Sequence, residues 1–220
     1  MRNILNLAIG FLVMLPLSAC GASGGPVAGQ ILEAGTKKPI PEAIVIVRWQ
    51  GTYSRIVDSQ DVCYHVETAT TDAEGRFRTP GWVERKPRGP FFSPGGWDIT
   101  AYKPGYETDW PAAYSATGDY KRNIRYLKPF TGTKAERLKY LMHVLEAARC
   151  GATDGSERNL HPLYKTLYEE GSGIALTKRE KEMVDSLRYW STFVLFDSSK
   201  PSTRDEKGRL INIDPEAQKK

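Results

Sequence analysis

The sequence predicts a mainly β chain with an α-helical appendage: an antiparallel β-sandwich followed by two or three helices. Three observations carry that expectation. Between residues 24 and 130, Gly and Pro separate short runs rich in β-branched and aromatic residues, the pattern of a sandwich of short strands. After Pro129 the composition changes, and apolar residues recur at helical spacing behind two capping signals. Residues 1–25 follow neither pattern and form a separate segment.

In that segment Arg2 stands near the start, and the apolar stretch Ile4 to Leu17 is shorter than the ~20 residues a membrane-spanning helix needs. This is the layout of a secretory signal peptide over residues 1–19. Its close, Leu17-Ser18-Ala19-Cys20, resembles the lipobox of bacterial lipoproteins. The resemblance implies that Cys20 becomes the first mature residue and carries a diacylglyceryl thioether plus an N-acyl chain, with residues 20–25 as a lipidated tether. Gly21, rather than Asp, follows the cysteine, and by the sorting rule of Gram-negative lipoproteins the resemblance implies delivery to the outer membrane of a cell envelope. One acyl chain binds a bilayer marginally, whereas two or more anchor stably. The alternative is ordinary cleavage after Ala19, leaving Cys20 as a spare thiol.

The sandwich is expected over residues 26–130. Pro26 to Glu33 supplies a first strand with Val27 and Ile31 apolar, and Gly35 to Pro41 is turn material. Ala43-Ile44-Val45-Ile46-Val47-Arg48-Trp49 is dense enough for an interior strand. Tyr64 to Thr71 alternates in character, Asp72-Ala73-Glu74-Gly75 reads as a hairpin connection, and Arg76-Phe77-Arg78 restarts a strand. Trp97 to Lys103 alternates again, and Arg122 to Lys128 completes the set. Pro39 and Pro41 donate no ladder hydrogen bonds and suit the turn before a strand. Gly75 suits a positive φ, Asp72 suits accepting backbone N–H groups within its own turn, and Phe77 is expected in the core.

Four stretches in this order, Gly29-Gln30-Ile31, Lys38-Pro39-Ile40-Pro41-Glu42-Ala43-Ile44-Val45, Thr71-Asp72-Ala73-Glu74-Gly75-Arg76-Phe77 and Ala101-Tyr102-Lys103-Pro104-Gly105-Tyr106, resemble the carboxypeptidase regulatory-like domain. That family is a seven-stranded prealbumin-like (transthyretin-like) antiparallel β-sandwich that accompanies peptidases without doing their chemistry. The resemblance covers about half the chain and implies a non-catalytic interaction or stabilising module with a protein partner in the envelope. Residues 50 to 63 and 80 to 96 depart from it as long excursions, and long loops on rigid sandwiches are common places for function.

Residues 131–197 are expected to form a helical subdomain. Thr133-Lys134-Ala135-Glu136 is a capping box, followed by Leu138, Leu141, Met142 and Leu145, with Gly151 placed to stop the helix. His161 to Glu170 suits a shorter helix. Thr177-Lys178-Arg179-Glu180 repeats the cap, and Met183, Val184, Leu187, Trp190 and Val194 line one face. Residues 198–220, polar except for Leu210, Ile211 and Ile213, read as a flexible tail.

Charge and cysteine content narrow the function classes. The 31 Lys and Arg exceed the 26 Asp and Glu by only five and form no basic run, which argues for a solvated surface and against a nucleic-acid partner. With Cys20 committed to lipid, Cys63 and Cys150 remain as an even pair, read in an oxidising compartment as a disulfide, with two separate buried thiols as the alternative.

Catalytic signals are weak. His65, His143 and His161 lack metal-type spacing to each other or to Cys, so neither a metal nor a cofactor is expected. Ser115, His65 and Asp109 can be assembled into a nucleophile set on paper, but no Gly-x-Ser-x-Gly surrounds Ser115. The clearest binding signal is aromatic. Trp82, Phe91, Phe92, Trp110 and Tyr114 are the candidate ligand-binding residues, and flat rings of this kind stack on sugar faces or seat a peptide. Packing under their own loop is the competing reading. No enzyme activity is expected. A glycan-binding module that uses the 82–114 aromatics is the alternative to a protein-interaction module.

Overall fold

The computed structural model describes residues 22–84, 88–108, 123–175, 177–193, 202–204 and 210–212. The strands follow in chain order as β1 (Ser23–Gly24), β2 (Ala28–Glu33), β3 (Ile44–Ser54), β4 (Ser59–Thr70), β5 (Arg76–Arg78), β6 (Trp82–Val83), β7 (Phe92–Tyr102), β8 (Tyr106–Glu107) and β9 (Ile124–Pro129). Helices α1 (Lys134–Ala148), α2 (His161–Ile174) and α3 (Lys178–Phe193) come next. Strands β10 (Ser202–Arg204) and β11 (Leu210–Asn212) follow them. Among the described residues the chain is therefore mainly β with three α-helices, as the sequence predicts at that level.

Strand β3 organises the molecule. It is the middle strand of an antiparallel sheet ordered β4-β3-β7. Side chains alternate along a strand, so a run that is apolar at every position is buried on both faces. Val45, Val47 and Trp49 enter one core with Ile31, Phe77, Ile99 and Leu127. Ile44 and Ile46 enter a second core with Leu138, Leu141, Tyr164, Leu167 and Leu187 of the three helices. The first core joins the β4-β3-β7 sheet to a four-stranded sheet ordered β5-β2-β9-β8. There β2 and β9 are parallel, and the other pairings are antiparallel. Strand β1 pairs separately with β6.

Turn chemistry realises several sequence expectations. The Asp72 carboxylate accepts from the N–H groups of Glu74 at 3.0 Å and Arg76 at 2.8 Å. Gly75 has φ +70°, and a Cβ there would lie 2.5 Å from the Ile31 carbonyl, so glycine is required twice over. Phe77 is buried. Both capping boxes form: Glu136 N–H donates to Thr133 Oγ1 at 3.3 Å, with Thr133 N–H donating to the Glu136 carboxylate at 2.7 Å. The Thr177–Glu180 pair repeats this at 3.2 and 2.7 Å.

Some expectations are corrected. Residues 50–54 and 59–63 are not a loop excursion but extend β3 and β4 into one long hairpin. Gln50, Thr52 and Asp61 carry no apolar alternation, so periodicity could not reveal these strands. The 80–96 stretch likewise holds β6 and the start of β7, where Pro94 and two glycines obscure the strand. Helix α2 runs on to Ile174, past Glu170. Within the stretch read as a polar tail, β10 and β11 pair with each other.

Polar ties fix the helices to the β4-β3-β7 sheet. Cys63 and Cys150 form the disulfide, with Cα atoms 4.9 Å apart across 87 residues of chain. In the chain-entropy account a loop of that length is worth about 4–5 kcal/mol. Arg48 forms a bidentate pair with Asp98 at 3.0 Å for both contacts and donates to the Ala147 carbonyl at the end of α1. Arg137, buried in the first turn of α1, bonds both Glu170 oxygens of α2, at 2.7 and 3.1 Å, and donates to the Tyr106 carbonyl. The Tyr102 hydroxyl donates to the same carboxylate, and burial beside that negative charge drives its pKa far up.

Removing one partner of such a buried pair leaves an uncompensated charge. Arg137→Ala is expected to lower unfolding free energy by about 3–5 kcal/mol in urea titrations, whereas replacing Arg137 and Glu170 together by Met and Leu costs far less.

Candidate functional site

The site forms where β4 departs from regular pairing. Trp49 faces His65 but Gln50 faces Cys63, so Tyr64 is an extra residue in β4. In a regularly paired strand Cys63 and His65, two residues apart, would share a face. The bulge separates them: Cys63 turns towards the helices and its disulfide, while Tyr64 and His65 turn towards Trp49 and Trp82.

His65 is 6% exposed and bonded on every side. Its Nδ1 lies 2.5 Å from Asp154 and its Nε2 3.0 Å from Glu67. The Trp82 ring stacks on it at 3.8 Å and 15°, and Trp49 meets it edge-on at 5.3 Å. Burial opposes the charged ring, but hydrogen bonds to Asp154 and then Glu67 outweigh it, and the pKa is raised. A carboxylate facing each nitrogen suits the protonated ring, which donates from both and has an indole face against it. Asp154 is also desolvated, yet bonds from His65 and Ser156 hold its carboxyl below the usual range.

Asp154 passes the connection to Ser156, whose hydroxyl donates to it at 2.6 Å and accepts from Val66 N–H at 3.1 Å. Asn159 Nδ2 donates to the Val66 carbonyl at 3.0 Å, and Thr68 Oγ1 donates to the Asn159 carbonyl at 2.8 Å. Side chains of the 153–159 segment thus supply what a neighbouring strand would give the free edge of β4. Arg88 extends this by donating to the Tyr64 carbonyl at 2.9 Å while pairing with Glu84 at 2.7 Å.

Between these elements lies a cleft of about 560 Å³, lined by His65, Trp82, Glu84, Asp154, Ser156 and Arg158 among others. Its chemistry differs from a hydrolytic triad, in which the imidazole stands between acid and nucleophile with one nitrogen free to take a proton. Here the carboxylate stands in the middle and neither imidazole nitrogen is free. Among the described residues no group of three or more His, Cys, Asp or Glu side chains is arranged to hold a metal ion.

The predicted ligand-binding residues that lie among the described residues, Trp82, Phe91 and Phe92, are not brought together. Trp82 is inward, stacked on His65 at the cleft wall. Phe92, at the start of β7, packs on Tyr53 of β3 and Tyr64 of β4, at 5.1 and 5.0 Å. Phe91 is 70% exposed. Trp97 is exposed and Tyr106 half-buried, and Tyr102 sits among the helices. Cys20, Trp110, Tyr114, Ser115 and Asp109 lie outside the described residues. Sequence reading missed the His65 cluster. The disulfide is the signal that could have found it, because pairing Cys150 with Cys63 brings Asp154 to within reach of His65.

Compared with models of protein families, with curated proteins and with solved structures, the chain matches none.

Two predictions follow from the cluster. The folded His65 ring holds its proton more tightly than a histidine in the unfolded chain, near pH 6.5. Its contribution is therefore complete below that pH and is lost as pH rises through the higher folded value. Asp154 acts in reverse, its contribution being lost as pH falls through its lowered folded value. Unfolding free energy measured by urea titration is expected to decline above pH 6.5 in the natural chain and to lose that slope in His65→Gln. Separately, a Cβ on Gly24 would lie 2.6 Å from Trp49 Nε1 and press on the Trp82 indole, so Gly24→Ala is expected to cost about 1–3 kcal/mol.

Proposed function

We propose that this chain is a non-catalytic protein-binding module, tethered to an envelope membrane through lipid on Cys20. The observation that carries the reading is the state of the cleft. Its imidazole, the Ser156 hydroxyl and the Asp154 and Glu84 carboxylates are committed to one another, to Glu67 or to Arg88, so none of these groups stands free to take a proton. Support for a prealbumin-like sandwich comes from the count of strands, four in one sheet and three in the other across a shared core. The edge strand β7 offers a place for a partner, with Trp97 40% exposed. Trp82 and Phe92 turn inward while Phe91 turns outward, so these three rings make no common platform for a sugar.

A photo-reactive residue in place of Trp97, in the full-length protein in its own membrane, tests this. One reproducible protein adduct is expected, and it is expected to diminish in Cys20→Ala, where the tether is lost. Capture of polysaccharide alone would replace the reading with the glycan one.

A further inference from the structure

Three of the most exposed large apolar side chains among the described residues gather at one end of the molecule. The β3–β4 hairpin turns at Arg55–Asp58, closed by Arg55 N–H donating to the Asp58 carbonyl at 2.7 Å. At its tip Ile56 is 104% and Val57 96% exposed. Phe91, also exposed, lies beside them, since its carbonyl accepts from Ser54 N–H at 2.9 Å. A turn of this kind is ordinarily polar, and three adjacent large apolar side chains in water mark a contact surface.

The chain enters the described structure at the same end. The Ala22 carbonyl accepts from Glu84 N–H at 2.8 Å, and Glu84 pairs with Arg88. Arg88 lies over the Tyr64 and Phe92 rings at 5.1 and 5.3 Å, and Phe92 packs on Tyr53, next to Ser54 at the base of the turn. Cys20 is two residues before Ala22, and two peptide units span at most about 7 Å. A lipid on Cys20 therefore holds this end, rather than the 34–42 end, at the bilayer.

We infer that Ile56, Val57 and Phe91 insert into the lipid bilayer surface as a second contact beside the anchor. The inference rests on the lipidation of Cys20 in the proposed function. The charged neighbours Arg55, Asp58 and Asp61 are of mixed sign, so the contact is apolar and does not depend on anionic lipid. Two contacts at one end restrict how the tethered body tilts and present the β7 edge in a constant orientation.

The test is made on the full-length lipidated protein in phosphatidylcholine vesicles carrying a nitroxide near the lipid headgroup. An environment-sensitive fluorophore is placed on Val57→Cys, and on Lys38→Cys as the far-end control. The Val57 label is expected to shift to shorter wavelength and lose most of its emission to the nitroxide, while the Lys38 label does neither. The same result is expected when phosphatidylglycerol is included. If acylated protein floats with the vesicles but both labels stay in water, the insertion is overturned and the anchor stands. If the Val57 label shifts but escapes the nitroxide, protein covers the tip and the insertion is overturned. If Cys20 carries no acyl chain by mass and the chain does not float, the anchor is overturned and the insertion with it.

Discussion

The burial of β3 on both faces is the constraint on which the rest depends. A four-residue run of Ile44, Val45, Ile46 and Val47 cannot face water on either side, so each face needs its own cover. The second sheet covers one face through Ile31, Phe77 and Leu127, and the helices cover the other through Leu141, Leu163 and Leu187. The helical layer is thus part of the fold's minimum. Without it Ile44, Ile46, Val66 and Tyr102 would form an exposed apolar patch on the sheet.

The two faces are covered by different means. The sandwich interior is closed mainly by interlocking apolar side chains, whereas the helical layer is placed by directional bonds. Helix α1 is pinned near its start by Arg137, which reaches the Tyr106 carbonyl. It is pinned at its end by Arg48, a cation at the carbonyl-rich terminus, and by the disulfide two residues beyond Ala148. Leucine faces alone tolerate sliding and repacking, but bidentate guanidinium–carboxylate bonds do not. Buried charge costs desolvation and adds little net stability, so its contribution here is to fix where the helices lie.

How much was legible followed from how local each signal was. The Asp72–Gly75 turn and the two capping boxes are decided by residues within a few positions of one another, and each formed as read. The interior strand declared itself through a dense apolar run. Strands made of Gln50, Thr52, Asp61 and Cys63 did not, because their pairing follows from the register of the hairpin rather than from burial. The His65 cluster was invisible for a further reason. Asp154 lies 89 residues away, and only the cysteine pairing, itself inferred from a compartment, connects the two stretches.

The bulge at Tyr64 is where these lines meet. The break in alternation there puts Tyr64 and His65 both on the side of Trp82 and leaves Cys63 facing the helices, so the disulfide and the His65 ring act from opposite faces of one strand. The disulfide sets the entry of the 151–159 segment, and the imidazolium with Ser156 and Asn159 closes that segment onto the β4 edge. Each arrangement presupposes the other. The covalent link brings Asp154 within reach of His65, and the carboxylates of Asp154 and Glu67 make a charged ring tolerable beside two indoles. An edge that would otherwise be open to pairing with another chain is thereby shut, and β7 remains the long edge of that sheet beside which no strand is paired among the described residues.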